Sequence, residues 1–249
     1  MNGASIRLAD AFDVADLETF LGRARTADPE GAVRLAVHGE VLLVTTRLVP
    51  GAGLFGAGGV LGLRAFAVRP VKEPAEATAP GSPDSAAPFG VDVVVAVDAV
   101  MDRLARMKRT GDLDLPVPPV QVAAPWAGHA PPRSGWEPLG VLQPDALRAV
   151  AKAGIAEIAT GAGGPAGGGP AAGALAVDEL RRRVWTRPAP DLAGGPAGLA
   201  FGAHALGLLT GPSDTSSSGT PAGAPAPPTL YRASPWWRLS TPAGHVIAR

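Results

Sequence analysis

The sequence contains no cysteine. That excludes disulfides, thiolate nucleophiles and cysteine-ligated zinc or iron–sulfur centres. Lysine is scarce, present only at Lys72, Lys108 and Lys152, so the basic character rests on arginine. Basic and acidic side chains balance at 22 each. A formal net charge of zero leaves no whole-chain field to draw the protein onto nucleic acid or an anionic membrane. No run of about 18 apolar residues occurs, which predicts no membrane-spanning helix. Residues 1–16 are mixed and acidic, without the basic start and apolar stretch of a signal peptide. The expected setting is cytoplasmic.

Apolar residues make up 46% of the 249 positions, enough to build a core, so the chain as a whole is not a disordered one. Its 33 glycines and 27 prolines are clustered, which implies folded blocks joined by flexible segments. The arginines accompany abundant alanine and glycine, a pattern explained first by base composition and only second by phosphate binding.

The first block reads as α+β, a largely antiparallel sheet with helices, over residues 1–111. Asp13 is the expected N-cap of a helix carrying Val14, Leu17, Leu21 and Ala24 on one face, and Asp28-Pro29 ends it. Residues 32–37 and 41–48 are valine- and leucine-rich strands around the turn His38-Gly39-Glu40. A third strand is expected over 61–68, a loop over 72–88 and a fourth strand over 91–97. Asp98 is the expected cap of a helix with Val100, Met101 and Leu104 inward. Arg103, Arg106, Lys108 and Arg109 crowd its last turn, where cations complement the helix dipole, and Gly111 stops it. Residues 112–135 form a proline-rich connector, with Trp126 and Trp136 as anchors. The second block, 136–249, has helices expected over 143–159, 175–185 and 199–209, then two short strands. The glycine- and proline-rich inserts 161–174 and 210–229 read as flexible linkers.

Gly51, Gly53 and Gly56 match G-x-G-x-x-G directly after a strand, the pattern that lets a backbone approach a pyrophosphate. Gly58, Gly59 and Gly62 follow, and each would cost a helix about 1 kcal/mol relative to alanine. The next strand starts within about ten residues, too soon for a crossover helix. Glu73, near the ribose-acid spacing, lies past Pro70. The segment therefore reads as a glycine-rich link between strands, and no cofactor is expected. His38, His129, His204 and His245 have no metal-ligand spacing, and there is no nucleophile elbow or P-loop. Asp92, Asp98 and Asp102 are carboxylates whose strand and helix-start positions give them structural roles. An enzyme with a distributed site stays as a third reading.

The second block ends in three helices followed by a hairpin containing Trp237-Arg238-Leu239-Ser240-Thr241-Pro242-Ala243-Gly244. This arrangement resembles the winged helix-turn-helix superfamily, with that string in the place of the wing's return segment. The resemblance implies a third helix that reads base edges and a wing beside it. Here the third helix offers only His204 among Leu199, Phe201, Leu206, Leu208 and Leu209. Residues 145–249 hold nine basic and six acidic side chains, a thin excess for a DNA binder. The leading expectation is thus a non-enzymatic interaction or adaptor protein that binds another protein. Its expected contact surface is the apolar third helix together with Trp236, Trp237 and Arg238, since aromatics and arginine dominate interface hot spots. The alternative is a DNA-binding transcriptional regulator, with Arg181, Arg182, Arg183, Arg187, Arg232 and Arg238 on phosphates.

Overall fold

A computed structural model describes residues 4–52, 56–69, 90–128, 131–162, 170–209 and 226–249. The protein is α+β, with five α-helices and ten strands among these residues. The chain divides into two compact units, Met1–Thr45 with Arg64–Ala124, and Thr46–Leu63 with Pro125–Arg249.

The first unit contains β1 (Ser5–Leu8), α1 (Ala11–Ala27), β2 (Ala32–His38), the start of β3 (Val41–Val49) and the end of β4 (Val60–Arg69). It continues with β5 (Asp92–Ala96), α2 (Val97–Thr110) and β6 (Asp114–Pro116). Its strands run β5-β2-β3-β4, and β1 pairs with both β4 and β6. Helix α1 buries Val14, Leu17, Phe20, Leu21 and Ala24, the stripe its spacing predicts extended by one ring. Its N-cap is Asp10, whose carboxylate accepts the Asp13 N–H at 2.9 Å. Asp13, the expected cap, sits in the first turn instead. Likewise β5 runs straight into α2 through Ala96, and Asp98 falls inside the helix, ion-paired with Arg25 at 3.0 Å. Gly111 ends α2 in the left-handed conformation, φ 71°, as expected.

The expected connector begins too early. Residues 114–116 pair with β1, and the Val122 N–H donates to the Val94 carbonyl at 2.9 Å, so the first unit continues through Ala124. Strands β1 and β6 have four and three residues, too few to show an alternating pattern.

The second unit holds the rest of β3 and β4, then β7 (Glu137–Val141), α3 (Pro144–Ala162), α4 (Pro170–Thr186) and α5 (Gly198–Ala205). Strands β8 (Thr229–Ala233), β9 (Trp236–Thr241) and β10 (Gly244–Ala248) close it. Three strands follow the helices rather than two, and the order across the sheet is β3-β4-β10-β9-β8-β7. Residues 161–162 and 170–174, expected as linker, are helical. The remaining 163–169 of that insert, 210–225 of the next and the loop expected over 72–88 lie outside the described residues.

Helices α3, α4 and α5 pack on one another, and α5 lies against β9 and β10. Gly198 through Ala203 are all buried, so α5 is core, as its apolar circumference predicts, and does not supply the contact surface expected of the third helix. The approach is close: a Cβ on Gly202 would run into Val246 and Leu48. Between the helices Trp185 is 1% exposed and stacks on Phe201 at 4.4 Å between ring centroids. Gly154 lets α3 come down onto that indole, and any Cβ there would strike its benzo edge. A rigid ring cannot swing aside as a leucine methyl can. Gly154→Ala is therefore expected to lower the stability of the second unit by about 1–3 kcal/mol, read as a lower urea midpoint by circular dichroism. An unchanged midpoint would contradict this packing.

Candidate functional site

Strand β9 divides its side chains between two faces of the sheet, because successive residues of a strand point opposite ways. Leu239 is buried opposite Leu230 of β8 and Val246 of β10, and this is the face that α5 covers. Trp237 shares it. Its ring lies against Gly195, and the Arg232 guanidinium sits 4.7 Å from the ring centroid. Trp236, Arg238 and Ser240 project from the other face. The three residues expected to form one contact patch are thus split, with Trp236 and Arg238 on one side and Trp237 on the other.

On the face turned away from the helices, Arg238 stands opposite Tyr231 of β8 and Ile247 of β10. Its guanidinium lies 4.5 Å from the ring centroids of both Trp136 and Tyr231. Trp136, one residue before β7, is fixed by its indole N–H donating to the Pro132 carbonyl at 2.9 Å. Each cation–ring contact contributes roughly 0.5–2 kcal/mol, more as the pair is desolvated. The stack does desolvate it: the Arg238 Nε is buried with no hydrogen-bond partner among the described residues. Burial lowers the guanidinium pKa from its ordinary value, which is high enough that the charge persists at neutral pH. His245, opposite Ser240 on the same face, has its Nδ1 3.0 Å from the serine Oγ. Burial first, and Arg238 second, hold that imidazole below its ordinary value. Leu61 and Ile247, paired across β4 and β10, are buried.

Beside Trp236 the same face opens into a hollow. Trp126, Trp236, Arg47 and Arg249 line it, with Val49, Leu61 and Gly51, Gly56 and Gly59 of the β3–β4 connection. The Arg249 guanidinium lies 5.4 Å from the Trp236 ring. The glycine segment is the β–β link the sequence predicts. Ala52 and Ala57 exchange hydrogen bonds of 2.8 and 2.9 Å, the Gly58 N–H donates to the Arg249 carbonyl at 2.8 Å, and Gly59 to Gly56 at 3.1 Å. A Cβ on Gly51 would collide with the Gly56 backbone, which is why glycine is needed at this crossing. These amides, which a phosphate would require, are already engaged. Gly53 and Glu73 lie outside the described residues.

Of the arginines grouped for phosphate contact, Arg181, Arg182, Arg183 and Arg187 lie at or just past the end of α4, and two of them are engaged by carboxylates. Arg182 pairs with Glu179 (Nε to Oε2, 3.0 Å), and Arg187 grips Glu157 through two bonds of 2.9 and 2.7 Å. Arg181 and Arg183 lie on α4, while Arg232 and Arg238 leave the sheet on opposite faces. Buried α5, the helix the winged-helix resemblance would assign to base reading, presents no base-reading side chain; its one imidazole, His204, is held below its ordinary value by burial, Lys152 and Arg148. In the first unit Asp92 receives two bonds from Arg34, at 2.7 and 2.6 Å, which depress its pKa. A general acid needs the opposite shift. Among the described residues no group of three or more histidines and carboxylates could hold a metal ion, and no helix is long and apolar enough to cross a membrane.

Sequence reasoning missed Tyr231, Arg47 and Arg249 at this face and took Trp126 and Trp136 only as anchors. The signal that finds them is strand register, which places Tyr231 across from Arg238.

These features define an α+β protein with an aromatic, arginine-bearing sheet face. The chain belongs to the family described as Domain of unknown function (DUF8010), whose model matches residues 1–128, and the model of Domain of unknown function (DUF8185) matches residues 131–249. No curated protein and no solved structure matches it.

The two depressed imidazoles have a measurable consequence. His204 and His245 take up protons more readily in the unfolded chain, whose histidines titrate near about 6.5. Their stabilising effect is complete above that value and is lost as pH falls through it toward the folded value. The variant His204→Asn/His245→Asn is expected to show a shallower loss of stability than the wild type between about pH 7.5 and about pH 5.5 in urea titrations. Parallel profiles would contradict the burial of these rings.

Proposed function

We propose that the protein is a non-enzymatic interaction or adaptor protein, and that its second unit binds another protein through the sheet face carrying Trp236 and Arg238. One observation carries the reading: the Arg238 guanidinium is held between Trp136 and Tyr231, 4.5 Å from each, on the face away from the helices. A guanidinium and rings already fixed in place lose little freedom when a partner arrives. Tryptophan, tyrosine and arginine are also the residue types that concentrate binding energy in interfaces. Trp237, turned toward Gly195 and Arg232, serves as support behind this face. The alternative, a DNA-binding regulator, draws less support. Its arginines are divided among α4 and two sheet faces, and two of them are paired with carboxylates.

A pull-down from native extract with the full-length protein tests the reading. Trp236→Ala is expected to lose the captured partner with little change in melting temperature. Trp237→Ala is expected to lower stability by about 1–3 kcal/mol. Capture that survives Trp236→Ala would contradict the assignment. Fluorescence anisotropy against a mixed-sequence duplex is expected to show no binding at low salt. Tight binding that weakens steeply with salt would mean phosphate contacts and would favour the regulator.

A further inference from the structure

We infer that the outer edge of the Arg238 guanidinium is a receptor for one carboxylate, the side chain of an aspartate or glutamate in the partner protein. The inference rests on the protein-binding reading and adds the chemistry of the partner's contact residue. Among the described residues Arg238 makes no hydrogen bond and no ion pair, and the chain's own terminal carboxyl group does not reach it. Its Nε is buried, whereas Nη1 and Nη2, equally without a hydrogen-bond partner, reach solvent. With the Trp136 and Tyr231 ring centroids each 4.5 Å away, the rings occupy its sides and leave this edge open. A guanidinium carries five N–H donors and no acceptor, so its free edge is completed by an acceptor, best by a carboxylate that takes two parallel bonds.

The neighbouring strands supply no such group. Strands β8, β9 and β10 contain no aspartate or glutamate, and Glu137 of β7 stands opposite Arg232, on the other face. Burial and the Tyr231 hydroxyl act on the Arg238 charge, and no carboxylate does. The stack has already removed water from the guanidinium and fixed its place, so a further pairing costs little ordering. A carboxylate in fork-to-fork pairing lies in the guanidinium plane. A tetrahedral phosphoryl group would turn an oxygen out of that plane, toward the negative faces of the rings. A nucleic-acid strand is the weaker fit, since the chain's net charge is zero and Arg182 and Arg187 are engaged by Glu179 and Glu157.

The test selects short random peptides from a display library against the full-length protein, then measures the enriched peptides by fluorescence anisotropy. Enriched sequences are expected to share an Asp or Glu, and changing that acid to its amide should weaken binding about tenfold or more. Arg238→Lys keeps the charge and loses the planar fork. It is expected to weaken the acidic peptide by a similar factor and to leave the weaker amide peptide nearly unchanged, a coupling that a general loss of fold would not produce. A second readout needs no substitution. In the wild-type protein the acidic peptide is expected to protect Arg238 from the arginine reagent phenylglyoxal, scored by mass spectrometry, and the amide peptide is not. Enriched peptides that lack an acid, equal losses for acid and amide in Arg238→Lys, or modification of Arg238 unaffected by peptide would each overturn the carboxylate assignment and leave the protein-binding reading standing. An Arg238 that resists the reagent in the free protein would contradict the open edge. Tighter binding when phosphoserine replaces the acid would overturn the assignment in favour of a phosphoryl group. Displacement of the peptides by a short single-stranded oligonucleotide at lower concentration than by free peptide would overturn it in favour of nucleic acid. Enrichment of nothing would count against both the assignment and the protein-binding reading.

Discussion

The Arg238 guanidinium, stacked between Trp136 and Tyr231, organises the face on which the functional reading depends. Even a partly buried charge is costly unless something replaces the water it loses. Here the replacement is the negative faces of two rings, supplied by strand β8 and by the residue before strand β7. The stack ties the residue before β7 to strands β8 and β9, with Ile247 of β10 opposite Arg238.

What frees this face is the way the other one is filled. Glycine at 62 and 202 lets the backbones of β4 and α5 approach until Leu206, Leu48 and Val246 interlock. The core of the second unit is therefore complete on the helix side, with Leu230 and Leu239 at its centre. Strand β9 takes part in both layers by simple alternation: Leu239 and Trp237 on the helix side, Trp236 and Arg238 on the other. A shift of register by one residue would exchange the two sets, burying a guanidinium under α5.

Much of this was readable from residue spacing, and the misreadings have physical causes. Helices α1 and α2 and strands β2 to β5 were legible because each repeats its apolar period long enough to be seen. The caps were displaced because aspartates recur at 10, 13 and 16, and any of them suits a helix start by residue type alone. Residues 170–174 were read as linker because glycine and proline surround them, although their alanines favour a helix. The adjacent tryptophans were read as one patch, since a hairpin of two strands left their strand loosely placed. Once β9 is set at Trp236–Thr241, neighbours in sequence must face apart. The hollow could not be read at all. Its walls come from positions 47, 126, 236 and 249, which lie far apart in sequence.

The most direct test places a photoreactive benzophenone side chain at one of two positions, the first exposed and the second half-buried, and compares what each captures. Pro138 of β7 stands across from Tyr231, and Arg182 lies on α4. If the face bearing Trp236 and Arg238 is the contact surface, irradiation in native extract yields a discrete adduct from position 138 and none from 182. An adduct from 182 alone would move the contact surface to the helices and contradict the account.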